Sequence, residues 1–233
     1  MKAKDIRKGM HDGIPIALGY VSVSFTFGLM AVGSGMKWWQ AVLISMTNLT
    51  SAGQFAGLEI MMMSGGLIEM ALTQLVINIR YALMSISLSQ KADDTFTVPV
   101  RMAVGFGVTD EIFAVAVGKN KSVGKYYMAG LIIVPYIGWA AGTAAGALLG
   151  EVLPKIVSDA LGIAIYGMFL AIIIPQARDD NRCLKVIVIA VLLSCCFKYL
   201  PVLNRISSGF VIIICAVAAS VVGALLYPID ESE

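Results

Sequence analysis

The sequence predicts an all-α protein that crosses a membrane about eight times, and three observations carry that reading. Of its 233 residues, 58% are hydrophobic and only 14% are charged, with mean hydropathy +0.85. Soluble chains carry about 25% charged residues because a folded surface must meet water. The apolar residues also fall into runs close to the roughly 20 that a helix needs to cross the hydrocarbon core. Finally, the connections are short, and no GxxxxGK[ST] phosphate loop is present. The whole chain, 1–233, therefore reads as one transmembrane domain, and anything it moves is moved by a gradient rather than by ATP.

The expected spans are 14–32, 39–63, 67–88, 98–117, 127–149, 157–174, 184–200 and 208–227. The first is longer than the roughly 7–15 apolar residues of a cleavable signal, so it reads as a span. The second is interrupted by Asn48, Thr50, Ser51, Gly53 and Gln54 between two apolar stretches. Polar or irregular backbone at membrane depth survives only where protein buries it or where it lines a wet cavity. Broken helices of this kind form midplane substrate sites in secondary transporters. A helix restarting at Gln54 would offer N–H groups and a positive dipole end to a carboxylate. Asn48, Ser51 and Gln54 would supply neutral hydrogen bonds, and Phe55 an apolar wall. The bland alternative is a polar contact between helices, satisfied internally.

Arg80 lies well inside the third span, the second candidate for an interruption, near Gln74, Asn78 and Tyr81. A charge near the bilayer centre costs at least about 2.5–3.5 kcal/mol, so Arg80 needs a partner, and Asp110 or Glu111 in the fourth span lies at similar depth. The pair is either a structural lock between spans three and four or a carboxylate-binding, proton-sensitive site. Adjacent acids on a helix point about 100° apart, so both cannot face Arg80 equally. Asp110, and less directly Glu111, are the candidate coupling residues. Glu59 and Glu69, on either side of the turn at 64–66, read as solvated acids.

In the fifth span Gly138, Gly142, Gly146 and Gly150 form one smooth stripe. Small residues four apart let another backbone approach closely. They serve either packing within the chain or the docking of a second subunit. Cys183, Cys195, Cys196 and Cys215 lie mostly in apolar stretches without a CxxC or His cluster, and the single histidine is His11. They read as packing residues, with no metal or cofactor. The usual catalytic sets are absent, which argues against an enzyme. A net charge of +2 gives no reason to expect nucleic acid. With the eight-span order, the Lys/Arg bias puts both termini in the cytoplasm, with Lys91 and Arg101 on the opposite side.

Three motifs in order resemble the AzlC family of branched-chain amino acid permeases: 51–57 (SAGQFAG), 78–84 (NIRYALM) and 107–113 (GVTDEIF). Gly13-Ile14-Pro15 and 161–169 (LGIAIYGMF) support them. The resemblance implies a secondary transporter in the bacterial inner membrane that exports leucine, isoleucine, valine or similar amino acids. It also implies coupling to the proton-motive force and a small AzlD-type membrane subunit. Ala164 stands where the family often has an acid, which argues against proton handling by the sixth span. The alternatives are a passive small-solute facilitator, which would lack pH dependence, and a subunit inactive without its partner.

Overall fold

The computed structural model describes residues 2–149, 180–201 and 203–227, with 170, 173, 174, 177 and 178. Gly150, Ala164 and most of the expected span 157–174 lie outside the described residues. Among those described are nine α-helices: α1 (Lys2–Gly33), α2 (Trp38–Thr47), α3 (Ala52–Met62), α4 (Leu67–Lys91), α5 (Val98–Gly107), α6 (Asp110–Val117), α7 (Lys125–Leu149), α8 (Asn181–Tyr199) and α9 (Ser208–Leu226). No strand occurs among them. By length and composition, α1, α4, α7 and α9 are able to cross a membrane.

Two expectations about where the spans are interrupted need correction. The third span is uninterrupted, since α4 runs through Arg80 without a break. The fourth is divided. Val108 and Thr109 are both extended, at φ −74°, ψ 122° and φ −121°, ψ 173°. Two consecutive extended residues cannot continue the i→i−4 ladder. The Thr109 side chain instead accepts the Ile112 N–H and opens α6.

The chain divides into two compact units, 1–54 with 78–165 and 55–77 with 166–233. In the first, α1 and α7 run parallel and touch at the level of the main chain. Gly9 meets the Tyr127 carbonyl, Gly130 that of Ile6, Gly146 that of Phe25, and Gly28 that of Thr143. A methyl group on Gly138 would come within 3.0 Å of the Ala17 carbonyl oxygen, and one on Gly142 within 2.6 Å of that of Val21. The glycine face of α7 is thus filled by α1. Below it, Leu88, Val104, Ile112, Ala116, Met128 and Leu131 form the apolar core.

The connections on either side of α5–α6 meet each other. The Val123 N–H donates to the Lys91 carbonyl at 3.0 Å, and the Asp93 N–H to that of Val123 at 3.1 Å. The Lys125 N–H donates to Thr95 Oγ1 at 3.1 Å. Lys2 and Lys8 of α1 line a cavity with Asp93, Thr95 and residues 118–124. Chain leaving α4 and chain entering α7 therefore lie at the end where α1 begins. Lys91 and Lys119 share that end, against the alternation that eight full spans would require. The reason is the break: the chain turns back at the extended pair Val108–Thr109, so α5 and α6, about 15 and 12 Å long, do not add up to one crossing.

In the second unit, Glu69 is buried and accepts the Gly209 N–H at 3.0 Å. It caps α9 in place of the N-cap residue Ser207, whose side chain makes no capping bond. The expectation of a solvated turn acid is corrected for Glu69, because a carboxylate is favoured at a helix N-terminus. Glu59 is exposed.

Candidate functional site

The first unit holds two places where a helix stops and restarts, and polar side chains gather at both. At the N-terminus of α6, Asp110 Oδ2 pairs with Arg80 Nη1 at 2.5 Å. The two side chains are a little under half exposed, at 46% and 43%. Arg80 also lies over the Tyr81 ring, 5.0 Å from its centroid, and Nη2 donates to the Tyr81 hydroxyl at 3.3 Å. Glu111 points elsewhere, as the 100° offset between successive helical residues requires. Its Oε2 is 2.5 Å from the hydroxyl of Tyr20 on α1, and that hydroxyl is also 2.5 Å from Thr109 Oγ1. The two acids are thereby separated, one on a cation and one on a neutral hydroxyl.

The second place is the connection between α2 and α3. Asn48 is extended, and its Oδ1 accepts the Thr50 N–H at 3.1 Å. Ser51 adopts a left-handed conformation at φ 48°, which is costly for a residue with a Cβ. The sharp reversal lets α3 restart at Ala52. Gln54 is 2% exposed. Its Nε2 donates to Ser45 Oγ at 2.9 Å, and its Oε1 accepts from Trp139 Nε1 at 2.9 Å. Ser45 Oγ is 2.6 Å from Thr143 Oγ1 on α7. The Tyr136 hydroxyl donates to the Met46 carbonyl at 2.9 Å, which fixes the end of α2 as well.

Trp139 joins the two places. Its ring stands edge-on to that of Tyr20, with centroids 5.2 Å apart and planes at 77°. A continuous line of contacts runs Thr143–Ser45–Gln54–Trp139–Tyr20–Glu111 across α7, α2, α3, α1 and α6. Gln54, expected to recognise a solute, is sealed within this line, with both ends of its amide engaged. Asn48, Ser51 and Asn78 are half-buried, and so is Phe55, which belongs to the other unit.

Tyr20, Ser45, Trp139 and Thr143 were not singled out from the sequence as site residues. A signal was present for two of them: Trp139 and Thr143 each directly follow a stripe glycine, where α7 turns from its smooth face toward its neighbours. Nearer the end of the unit, Lys119 Nζ binds Asp12 Oδ2 at 2.7 Å, and the Tyr127 hydroxyl donates to the same oxygen at 2.8 Å. The hydrogen bond to Asp12 pushes the Lys119 ammonium above its ordinary pKa. Among the described residues, no three His, Cys, Asp or Glu side chains gather to hold a metal ion.

Comparison with known proteins matches residues 15–153 to the AzlC protein family. An uncharacterized membrane protein of Archaeoglobus fulgidus is 32% identical over 182 residues, covering 77% of this chain and 80% of that protein. The inner membrane protein YgaZ of Escherichia coli is 27% identical over 203 residues, covering 84% and 83%. A membrane protein of Helicobacter pylori is 24% identical over 152 residues, covering 62% and 65%. No solved structure matches the chain.

Proposed function

The chain belongs to the AzlC family of membrane proteins, and we propose that it is a secondary transporter of the bacterial inner membrane. In this reading it exports branched-chain or similar apolar amino acids against uptake of protons. The observation that carries it is the polar line joining two helix breaks in one unit. It ends on an acid held by a tyrosine hydroxyl, and the neighbouring acid on the same helix end pairs with a cation. Residues of that kind within a membrane span usually mark a transport pathway.

The α5–α6 pair fits a re-entrant element whose two half-helices enter and leave on one side, with their junction at the tip. That arrangement sets the N-terminus of α6, with Asp110 and Glu111, at depth. It also sharpens the charge asymmetry of the first unit. Lys2, Lys4, Arg7, Lys8, Lys91, Arg101, Lys119, Lys121 and Lys125 gather at the end where α1 and α7 begin, while Lys37 follows the far end of α1. By the positive-inside rule that end is cytoplasmic, and so is the N-terminus.

Substrate recognition is assigned to Asn48, Ser51, Asn78 and Arg80, where the guanidinium fork suits a carboxylate. Coupling is assigned to the acids at 110 and 111. A small AzlD-type subunit would complete the machine. Since α1 covers the glycine face of α7, that subunit would dock elsewhere.

The test is efflux of labelled leucine from preloaded, energised cells expressing the chain alone or with the small subunit, with and without an uncoupler. Uncoupler-sensitive efflux is expected. Efflux indifferent to the uncoupler would instead make the protein a facilitator, and the absence of any efflux would remove the assigned substrate class.

A further inference from the structure

From the geometry around Tyr20 we infer that Glu111, rather than Asp110, is the carboxyl that loads and releases the proton, and that Tyr20 is its positioning residue. This rests on the transporter reading and refines its coupling step. Asp110 is held 2.5 Å from Arg80. Protonating it would leave a guanidinium without its counter-charge, and charge-assisted pairs are the hydrogen bonds hardest to give up. Glu111 can change charge without breaking any ion pair.

The hydroxyls next to Glu111 suit both of its states, because a hydroxyl can donate and accept. With Glu111 ionised, the Tyr20 O–H donates to Glu111 Oε2, and the Thr109 O–H donates to Tyr20 Oη. With Glu111 protonated, its own O–H donates to Tyr20 Oη, and the Tyr20 O–H turns to Thr109 Oγ1. The heavy atoms stay at the same 2.5 Å separations. One proton enters at Glu111, and no other group gains or loses one. Thr109 Oγ1 accepts the Ile112 N–H in both states, so the cap of α6 is kept.

The surroundings divide the labour further. Glu111 is exposed, whereas Tyr20 is buried. The titratable groups facing Glu111 among the described residues are Tyr20 from α1, Tyr81 from α4 and, on its own helix, Asp110, which carries Arg80 of α4. α7 contributes the uncharged Trp139, against Tyr20. Loading a proton thus removes a negative charge from the first turn of α6, where the helix dipole favours one. It also reverses a hydroxyl whose ring touches Trp139, the residue that holds Gln54 at the other break.

The test uses the purified full chain and needs no substrate, so it stands apart from the efflux measurement. Trp38→Phe with Trp39→Phe leaves Trp139 as the one tryptophan of three. Its emission is titrated with pH beside the infrared band of protonated carboxyl groups. A step is expected in both signals. Glu111→Gln should abolish the Trp139 step and remove from the infrared signal the component that accompanies it, and Asp110→Asn should retain both. Tyr20→Phe should keep the infrared step and lose the Trp139 step. Persistence of the Trp139 step in Glu111→Gln would overturn the inference, and an unchanged Trp139 step in Tyr20→Phe would remove Tyr20 from it. Should Asp110→Asn fail to fold, Glu111→Gln and Tyr20→Phe still decide the matter.

Discussion

The α1–α7 interface and the junction at Thr109 lie in the same unit and are built on opposite principles. Along α1 and α7, glycines bring carbonyl groups so close that a single added methyl has nowhere to go. Around Thr109 and Asn48, helices stop, and side chains rather than main chain make the contacts. The first arrangement tolerates no change of shape. The second is held by hydrogen bonds, which rearrange at small cost when each lost partner is replaced. A transporter needs both, a rigid frame and a polar hinge that responds to a solute or a proton.

The sharpest way to break this contrast is to add volume to the frame. Gly146→Val would press two methyl groups onto the Phe25 carbonyl. It is expected to lower stability by about 3 kcal/mol, the upper end of the overpacking range. A melting curve of the purified protein should show a clear loss. An unchanged melting temperature would mean that α1 does not press on α7.

A smaller effect is expected at the seam between frame and hinge. Gln54→Leu leaves Ser45 Oγ and Trp139 Nε1 without the amide that joins them, a cost of about 1–3 kcal/mol. It should lower the unfolding midpoint. If Gln54 instead contacts solute directly, the variant will weaken apparent affinity and leave the midpoint alone.

At the hinge itself, stability should hardly move while transport collapses. Arg80→Lys keeps the charge but loses the planar fork that pairs with Asp110. Partial exposure limits the pair to about 1 kcal/mol of stability, yet efflux is expected to fall at least tenfold. Full efflux in Arg80→Lys would remove any bidentate role for this residue.

The smallest effect belongs to the periphery. Lys119→Ala removes a partly exposed pair with Asp12 and should cost no more than about 1 kcal/mol near neutral pH. The Lys119 pKa is raised by folding, so its contribution is complete below the unfolded value near 10.4 and disappears as pH rises beyond the folded one. Wild type and variant should therefore converge in stability in strong alkali.

Much of this arrangement was legible in the chain. Low charge and apolar runs required membrane helices, and polar residues between apolar halves marked the break at Asn48. The depth of Arg80 demanded an acid, and the 100° offset left only one of two neighbours to serve. The junction at Val108–Thr109 was hidden because Gly107-Val108-Thr109 is apolar enough to pass as uninterrupted helix. Missing it set Lys91 and Lys119 at opposite ends, since an apolar run of 20 residues looks the same whether it forms one helix or two. Tyr20 was hidden for a different reason. An aromatic on an apolar helix reads as core, and only the approach of α6 gives its hydroxyl a partner. Glu69 misled in the opposite way, because an acid beside a glycine turn gives no sign of a distant helix end to cap.

The most direct test of a proton-coupled exporter is proton movement driven by substrate. The chain and its small subunit would be reconstituted in vesicles loaded with leucine and enclosing a pH-sensitive dye, and outward leucine flux would be started by dilution. Proton entry should follow leucine exit, and Glu111→Gln should abolish it. Leucine exit with no change in internal pH would contradict coupling and leave a passive pathway through the same junction.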